Sequence, residues 1–294
     1  FYPRVAMGSY GYGMVVWRQP DGSYDSVWAN RFTLSEGGWG TAEPVETAEG
    51  HAGSMEVAMS GQGNAIAVWH QSDGTRNNIW ASHYTWYPTP SSWSTPVLLE
   101  TNDAGNASNP QIAMDVQGNA VAVWSQFDGV RQNIWSNRYA ASAGWAGAEL
   151  LETDDTDSAS SPRVAMDGQG NAVVVWHQSD GTSFNIWSNR YAASAGWAGA
   201  ELLEVNDGDA SSAEVAMNAF GYAVAVWLQS DGTYVNVWSN RYAPSRGWGT
   251  AELLESSDGN ASEARVSIDA RGNAVAVWQQ HDGMRNNIWS NQLR

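Results

Sequence analysis

The chain repeats itself six times, and that periodicity limits it to architectures built from stacked copies of one small unit. A tryptophan closing an Ala/Val run stands at Trp17, Trp69, Trp124, Trp176, Trp227 and Trp278, at intervals of 52, 55, 52, 51 and 51 residues. A second tryptophan follows each after eleven residues, at Trp28, Trp80, Trp135, Trp187, Trp238 and Trp289. Between the two lies a fixed frame of glutamine and then Asp-Gly, as in Gln71, Asp73 and Gly74. Residues 133–152 recur unchanged at 185–204, the mark of duplication or of deliberate copying.

One unit reads as four strands. In the fourth copy, Pro162 to Met166 alternates like a half-buried strand, and Gly168 to Gly170 supplies a turn. Ala172-Val173-Val174-Val175-Trp176 forms the second strand, with small residues on one face and valines on the other in its sister copies. The Asp180-Gly181 turn leads to a third strand from Asn185 to Tyr191. A loop of small residues, 192–196, precedes a fourth strand from Trp197 to Glu204, and an acidic linker follows. No stretch has helical periodicity. A lone sheet of this kind would expose apolar residues on both faces, and stacking against its neighbours buries them.

The expected fold class is therefore all-β, a six-bladed β-propeller with four antiparallel strands per blade. An open solenoid needs polar end caps, whereas the terminal copies here stay aromatic and Val-rich. The expected organisation is a single domain over 1–294, with blades near 1–54, 55–109, 110–161, 162–212, 213–263 and 264–294. The sixth copy stops after its third strand, so the last blade is expected to have three strands. Its exposed edge calls for a missing flank, a strand-edge partner or protective twist.

Composition excludes several partners. Thirty-one acidic and fourteen basic side chains give a net charge of −17, and every base is arginine. Scattered, outnumbered arginines do not make a phosphate-neutralising surface, so nucleic acid is excluded as a partner. No apolar run approaches the roughly twenty residues of a spanning helix, so membrane insertion is not expected. Phe1 follows no charged-then-apolar leader, and the chain reads as a mature soluble protein. With no cysteine there are no disulfides, thiolate metal sites or cysteine nucleophiles.

The Pro-Arg-Val-Ala-Met-Asp strand of 162–167, the Gly170-Asn171 turn and the small-Gly-Trp entry to the fourth strand resemble the sialidase-like, BNR/Asp-box propeller repeats of bacterial exported proteins. The resemblance covers nearly the whole chain. It implies that the first strand is innermost and the fourth outermost, and that the protein is extracellular or periplasmic. The Asp-box itself is degenerate. Ser35-Glu36-Gly37-Gly38-Trp39 comes nearest, and Ser142-Ala143-Gly144-Trp145 lacks the acid. The family's sialidase centre of three arginines, a tyrosine with its glutamate and an aspartic acid maps onto no residues here, and its Arg-Ile-Pro signature is absent.

Strand order places the Asp-Gly hairpins and the acidic linkers on one face, which should be strongly negative and suit neutral or cationic ligands. The hairpin aspartates Asp21, Asp73, Asp128, Asp180, Asp231 and Asp282 read as turn chemistry, each bonding nearby N–H groups. Oxygen ligands alternate in the linkers, making Asp103, Asp154, Asp155, Asp157, Asp207 and Asp209 candidate calcium ligands, although EF-hand spacing is missing. Calcium is the one cofactor candidate. The five histidines share no ligand spacing.

Tryptophans that recur at fixed positions read as packing. Aromatics that vary among copies are better candidates for stacking on a sugar: Tyr24, Phe127, Phe184 and Tyr234 at the hairpins, and Trp86 and Tyr87 in an insertion on the opposite face. Arg31, Arg138, Arg190 and Arg241 recur in the third strand and are expected to pair with fourth-strand carboxylates such as Glu149 and Glu201. First strands open on Arg4, Glu56, Gln111, Arg163, Glu214 and Arg265, an order that suggests a network lining a central channel.

The expected function is a non-catalytic, lectin-like binding module with carbohydrate as its partner, taking neutral glycans at repeated sites. A sialidase-like glycoside hydrolase is the enzymatic alternative, and it requires one deep pocket with two carboxylates. A symmetric scaffold, natural or engineered, is the third reading. The residues leave the enzyme question open while favouring binding.

Overall fold

The computed structural model describes every residue except 1, 36, 47–48, 87–90, 103, 153–156, 205–207, 256–257 and 294. Apart from one 3-10 turn at Ser9–Gly11, the regular structure among these residues is antiparallel sheet. Among the described residues no helix is long and apolar enough to cross a membrane. The chain divides into two compact units, 1–150 and 151–294, each holding three sheets.

In the first unit the long strands are Arg4–Met7, Tyr12–Asp21 and Tyr24–Thr33; Ala52–Met59, Ala65–Ser72 and Asn77–Thr85; and Ala107–Met114, Ala120–Phe127 and Gln132–Ala140. In the second they are Ala159–Met166, Ala172–Ser179 and Phe184–Ala192; Ala210–Met217, Ala223–Ser230 and Val235–Ala243; and Ala261–Ile268, Ala274–His281 and Asn286–Leu293. The paired tryptophans meet across the second and third strands of every sheet, as Trp176 does with Trp187. As expected, the sixth sheet has three strands.

The two faces of the second strand explain the packing. Valines on one sheet meet the small residues and tryptophan of the next. Val173 and Val175 pack with Ala225 and Trp227, and Val224 and Val226 with Ala274, Ala276 and Trp278. In the first unit Met14 and Val16 meet Ala65, Ala67 and Trp69. A fully buried tryptophan at 0% exposure in four sheets, set among valines and alanines, is large-against-small packing that leaves little void.

Two features depart from the expected strands. The fourth strand from Trp197 to Glu204 is instead two short pieces, Gly196–Trp197 and Glu201–Leu202. Gly199 turns out of the ladder at φ +110 and its N–H goes to the Asn189 side chain, which takes the place of a strand carbonyl. Only the third sheet keeps one continuous strand there, Gly144–Leu150. The first strands also start earlier than the alternating pattern shows, at Ala107, Ala159, Ala210 and Ala261. Each passes through a bulge whose non-glycine residue, Asn109, Ser161, Ser212 or Glu263, has φ near +53.

Buried polar side chains clasp successive sheets. In the fifth sheet the Trp227 indole N–H donates to Gln229 Oε1 (3.0 Å), and Gln229 Nε2 donates to Glu204 Oε2 (3.1 Å) and to the Gly208 carbonyl (3.1 Å). Glu204 lies in the linker from the fourth sheet. The same relay joins Trp69, Gln71 and Glu46, then Trp124, Gln126 and Glu100, then Trp278, Gln280 and Glu255. A second clasp runs from Asn189 Nδ2 to the Leu151 carbonyl and recurs at Asn137 and Asn240. Each relay carboxylate accepts a hydrogen bond from the glutamine amide of the next sheet.

Candidate functional site

The hairpin aspartates are consumed by their own turns. Asp73 Oδ1 accepts the N–H groups of Thr75 and Arg76 and the Thr75 hydroxyl, while Oδ2 accepts Asn78 Nδ2. Bonds from the Thr75 hydroxyl and the Arg76 N–H head the causes that hold this carboxyl well below the usual range. Asp128, Asp180, Asp231 and Asp282 repeat the pattern and are lowered likewise. The first hairpin differs: Asp21 pairs with Tyr24 across a two-residue turn.

Of the linker acids, Asp209 Oδ1 accepts the Phe184 N–H (3.0 Å), tying linker to hairpin, and Asp157 Oδ1 accepts the Ser158 N–H (2.7 Å). Asp103, Asp154, Asp155 and Asp207 lie outside the described residues, as does Tyr87. Among the described residues no three acidic or histidine side chains come together as a metal site.

The four hairpin aromatics occupy different positions. Tyr24 and Tyr234 stand three residues after the turn aspartate, Phe184 four after, and Phe127 one before. Tyr24 meets His51 edge-on at 5.5 Å and Phe184 meets His177 at 5.6 Å, both rings part-exposed. Phe127 is half-buried against Gly105, and Tyr234 is half-buried in its turn. They offer separate exposed rings and no common wall.

Two of the four third-strand arginines pair as expected, Arg138 with Glu149 and Arg190 with Glu201, each at 2.9 Å, whereas Arg241 Nη2 donates to the Gly272 carbonyl and Arg31 Nη1 to the Tyr84 and Ser91 hydroxyls. First-strand charges also interlace within each unit. Arg4 bonds Glu56 at 2.6 Å, and Arg163 and Arg265 share Glu214 at 3.1 and 2.9 Å.

A concave site lies where the fourth and fifth sheets meet, on the face of the turns between first and second strands. Its volume of about 290 Å³ is near the lower end for small-ligand pockets. Arg190, Tyr191, Met217, Tyr242, Pro244 and Asn171 line it with Asp167 and Gly221. The Arg190 guanidinium is fixed from two sides: Nε donates to Glu201 Oε1 (2.9 Å) and Nη1 to the Tyr242 hydroxyl (3.3 Å). It also lies 5.4 Å from the Tyr242 ring centroid. Burial works against its charge, but the bonds to Tyr242 and Glu201 prevail and raise its pKa. Asp167 is committed to its turn, accepting the N–H groups of Gln169 and Asn171 on Oδ1 and Asn171 Nδ2 on Oδ2. Gly221 keeps the mouth open, because a Cβ there would sit 3.1 Å from both Asp167 Oδ2 and Pro244 Cγ. The site thus presents guanidinium N–H groups beside an aromatic ring, with the positive charge matched by Glu201.

Sequence reasoning read Arg190 as structural and did not assemble the pocket. It spans two repeats, and its members become visible only when one copy is registered against the next.

Comparison with known proteins fixes the fold. No protein-family model matches the sequence, and no curated protein matches it. Solved structures do match over essentially the whole chain. An α-L-arabinofuranosidase from Fusarium graminearum in complex with an iminosugar inhibitor aligns with a TM-score of 0.56 at 13% identity, covering 100% of this chain and 92% of that one. An ulvan lyase, described as a new polysaccharide lyase family, gives 0.58 at 10% identity, covering 98% and 82%. The intramolecular trans-sialidase from Ruminococcus gnavus, in complex with oseltamivir carboxylate, gives 0.54 at 6% identity, covering 99% and 94%. The chain is a six-bladed, sialidase-like β-propeller. At such identities the likeness concerns the fold, and function has to be argued from the site.

Proposed function

We propose that this propeller is a non-catalytic binding module for neutral saccharides, and that the pocket between its fourth and fifth blades is one of its sites. The observation that carries the reading is Arg190, locked by Glu201 and Tyr242 beside the Tyr242 ring. Oriented N–H donors next to an aromatic face suit a pyranose or furanose, whose hydroxyls accept hydrogen bonds while its C–H face packs on the ring. Charge supports a neutral ligand, because Glu201 offsets Arg190 and the whole chain carries −17. That solved structures of the same fold are named for arabinofuranoside, ulvan and sialic-acid chemistry supports a saccharide over other neutral ligands.

Hydrolysis would need one free carboxylic acid and a second carboxylate across the scissile bond. Asp167 and Glu201 are both engaged, one by its turn and the other by Arg190. An exported location accords with a saccharide partner. The exposed hairpin rings Tyr24 and Phe184 would be separate weak secondary contacts.

A glycan array, run with and without a chelator, tests the proposal. Binding by the parent protein that is lost in Tyr242→Ala and Arg190→Gln supports it, and insensitivity to the chelator dismisses calcium. Turnover of a chromogenic glycoside abolished by Asp167→Asn would replace it with the hydrolase reading. Silence in both assays would leave the symmetric scaffold.

A further inference from the structure

The residues that build the pocket of the fourth and fifth blades have counterparts in the first and second, read off the repeat register. Arg190 corresponds to Arg31, Tyr242 to Tyr84, Met217 to Met59 and Gly221 to Gly63. The frame is preserved there too: Arg31 Nη1 donates to the Tyr84 hydroxyl at 3.3 Å, the same bond at the same length as Arg190 to Tyr242. Two positions gain bulk. Tyr12 stands for Asn171, and Trp86 for Pro244.

These two aromatics occupy the space that is open in the other pocket. The Trp86 ring centroid is 4.7 Å from the Arg31 guanidinium carbon and 5.0 Å from the Tyr12 ring. A Cβ at Gly63 would lie 3.2 Å from the Tyr12 ring and 3.5 Å from Trp86 Cγ, so both reach the pocket's mouth glycine. Trp86 is partly buried against the core shared by the first two sheets. Its backbone N–H donates to Asn64 Oδ1 at 2.9 Å. The N–H groups of Ala141 and Ala193 do the same toward Asn119 and Asn171.

We propose that Trp86 is a built-in stopper, and that beneath it lies a second, latent binding site for neutral saccharides, made by Arg31 and Tyr84 between the first and second blades. The saccharide class rests on the function proposed above; the stopper does not. The indole lies against the guanidinium where a ligand ring would lie in the open copy.

Trp86→Ala tests this directly, since alanine is the native residue at that position in the third and fourth blades. Two probes separate the claims. Free indole at millimolar concentration should raise the melting temperature of Trp86→Ala and leave that of the parent unchanged, as a ring-shaped cavity rebinds the ring it lost. Arabinobiose, titrated by calorimetry, should saturate Trp86→Ala with one more site per chain than the parent. No response to indole would overturn the stopper. A response to indole without an added arabinobiose site would overturn the latent site. A parent protein that binds no arabinobiose would count against the saccharide reading, while the indole arm would still judge the stopper. Should Trp86→Ala be too unstable to purify, Trp86→Val keeps the backbone donor and some of the apolar packing, still clears the indole from Arg31 and is read by the same two titrations.

Discussion

Replacing Gln229 by methionine should be far more damaging than the same change at Gln19, although the two residues hold one position in the repeat. Gln229 is fully buried and makes three bonds: it accepts the Trp227 indole N–H and donates to the Glu204 carboxylate and the Gly208 carbonyl. Methionine fills the volume but restores none of them. A bond to a charged group contributes about 1.5–3 kcal/mol and a neutral one about 1 kcal/mol. A buried donor left without an acceptor adds to the loss, so about 4 kcal/mol is expected for Gln229→Met. Gln19 is half-buried and accepts the Trp17 indole N–H at 2.8 Å, and among the described residues no glutamate is bonded to it. Trp17 is also part-exposed, so water can take over, and about 1 kcal/mol is expected. Urea unfolding followed by intrinsic tryptophan fluorescence reads both, and at about 2 °C per kcal/mol the melting temperatures should fall by about 8 and 2 °C. Equal losses at the two positions would show that the inter-sheet relay adds nothing to the Trp–Gln bond, and the clasp would lose its role.

Glycines should divide by the reason they are there. Gly208→Ala would place a Cβ 1.8 Å from the Ser230 carbonyl oxygen, so backbone must move and about 3 kcal/mol should be lost. Gly181→Ala meets nothing within 4 Å and pays only for φ near +90, about 1 kcal/mol, and thermal melts of the two variants check the order. Stability should also fall as pH drops below about 6.5. Burial, with a smaller push from Arg163, lowers the pKa of His177, and burial likewise lowers His70 and His83. A folded pKa below the unfolded one gives a contribution that is complete above the unfolded pKa and is lost as pH falls toward the folded value. Urea midpoints at pH 7.5 and 5.0 should show the loss, and His177→Gln should reduce it. A separate acid loss should begin as pH falls through the ordinary aspartate range, where the unfolded chain takes up protons while Asp73 and its counterparts, held low by their turn bonds, stay ionised.

The fold was legible because its determinants are local and repeated. Trp176 and Trp187 sit eleven residues apart, so an Asp-Gly hairpin between them brings them face to face, and six copies remove the ambiguity of one. Turn chemistry was legible for the same reason: Asp73 reaches only residues two to five places away. What stayed hidden depends on register between copies. Glu204 closes a Leu-Leu-Glu run that reads as the solvated end of a strand, and nothing local marks it as the acceptor of Gln229, 25 residues on. The bulges at Asn109, Ser161 and Ser212 were hidden because non-glycine residues rarely take positive φ, and two of them precede proline, which usually enforces extended backbone. The Arg190 pocket was missed on the same ground, since its two halves lie in different repeats.

The pattern of conformity and departure then separates frame from function. In the second, third and fourth blades the turn asparagine, Asn64, Asn119 or Asn171, accepts the N–H of the loop residue at Trp86, Ala141 or Ala193. In the fifth blade both partners change together: the turn residue becomes Tyr222 and the loop residue Pro244, which has no N–H to satisfy. Donor and acceptor have gone as a pair, so neither is left without the other. Pro244 lines the open pocket, while the side chain at the same position in the second blade lies on Arg31. The same position carries alanine in the third and fourth blades, proline in the fifth and an indole in the second. The bonds repeated in blade after blade, Trp to Gln to Glu, hold the scaffold constant, and variation concentrated at such a position is where one blade pair can acquire a ligand that another refuses.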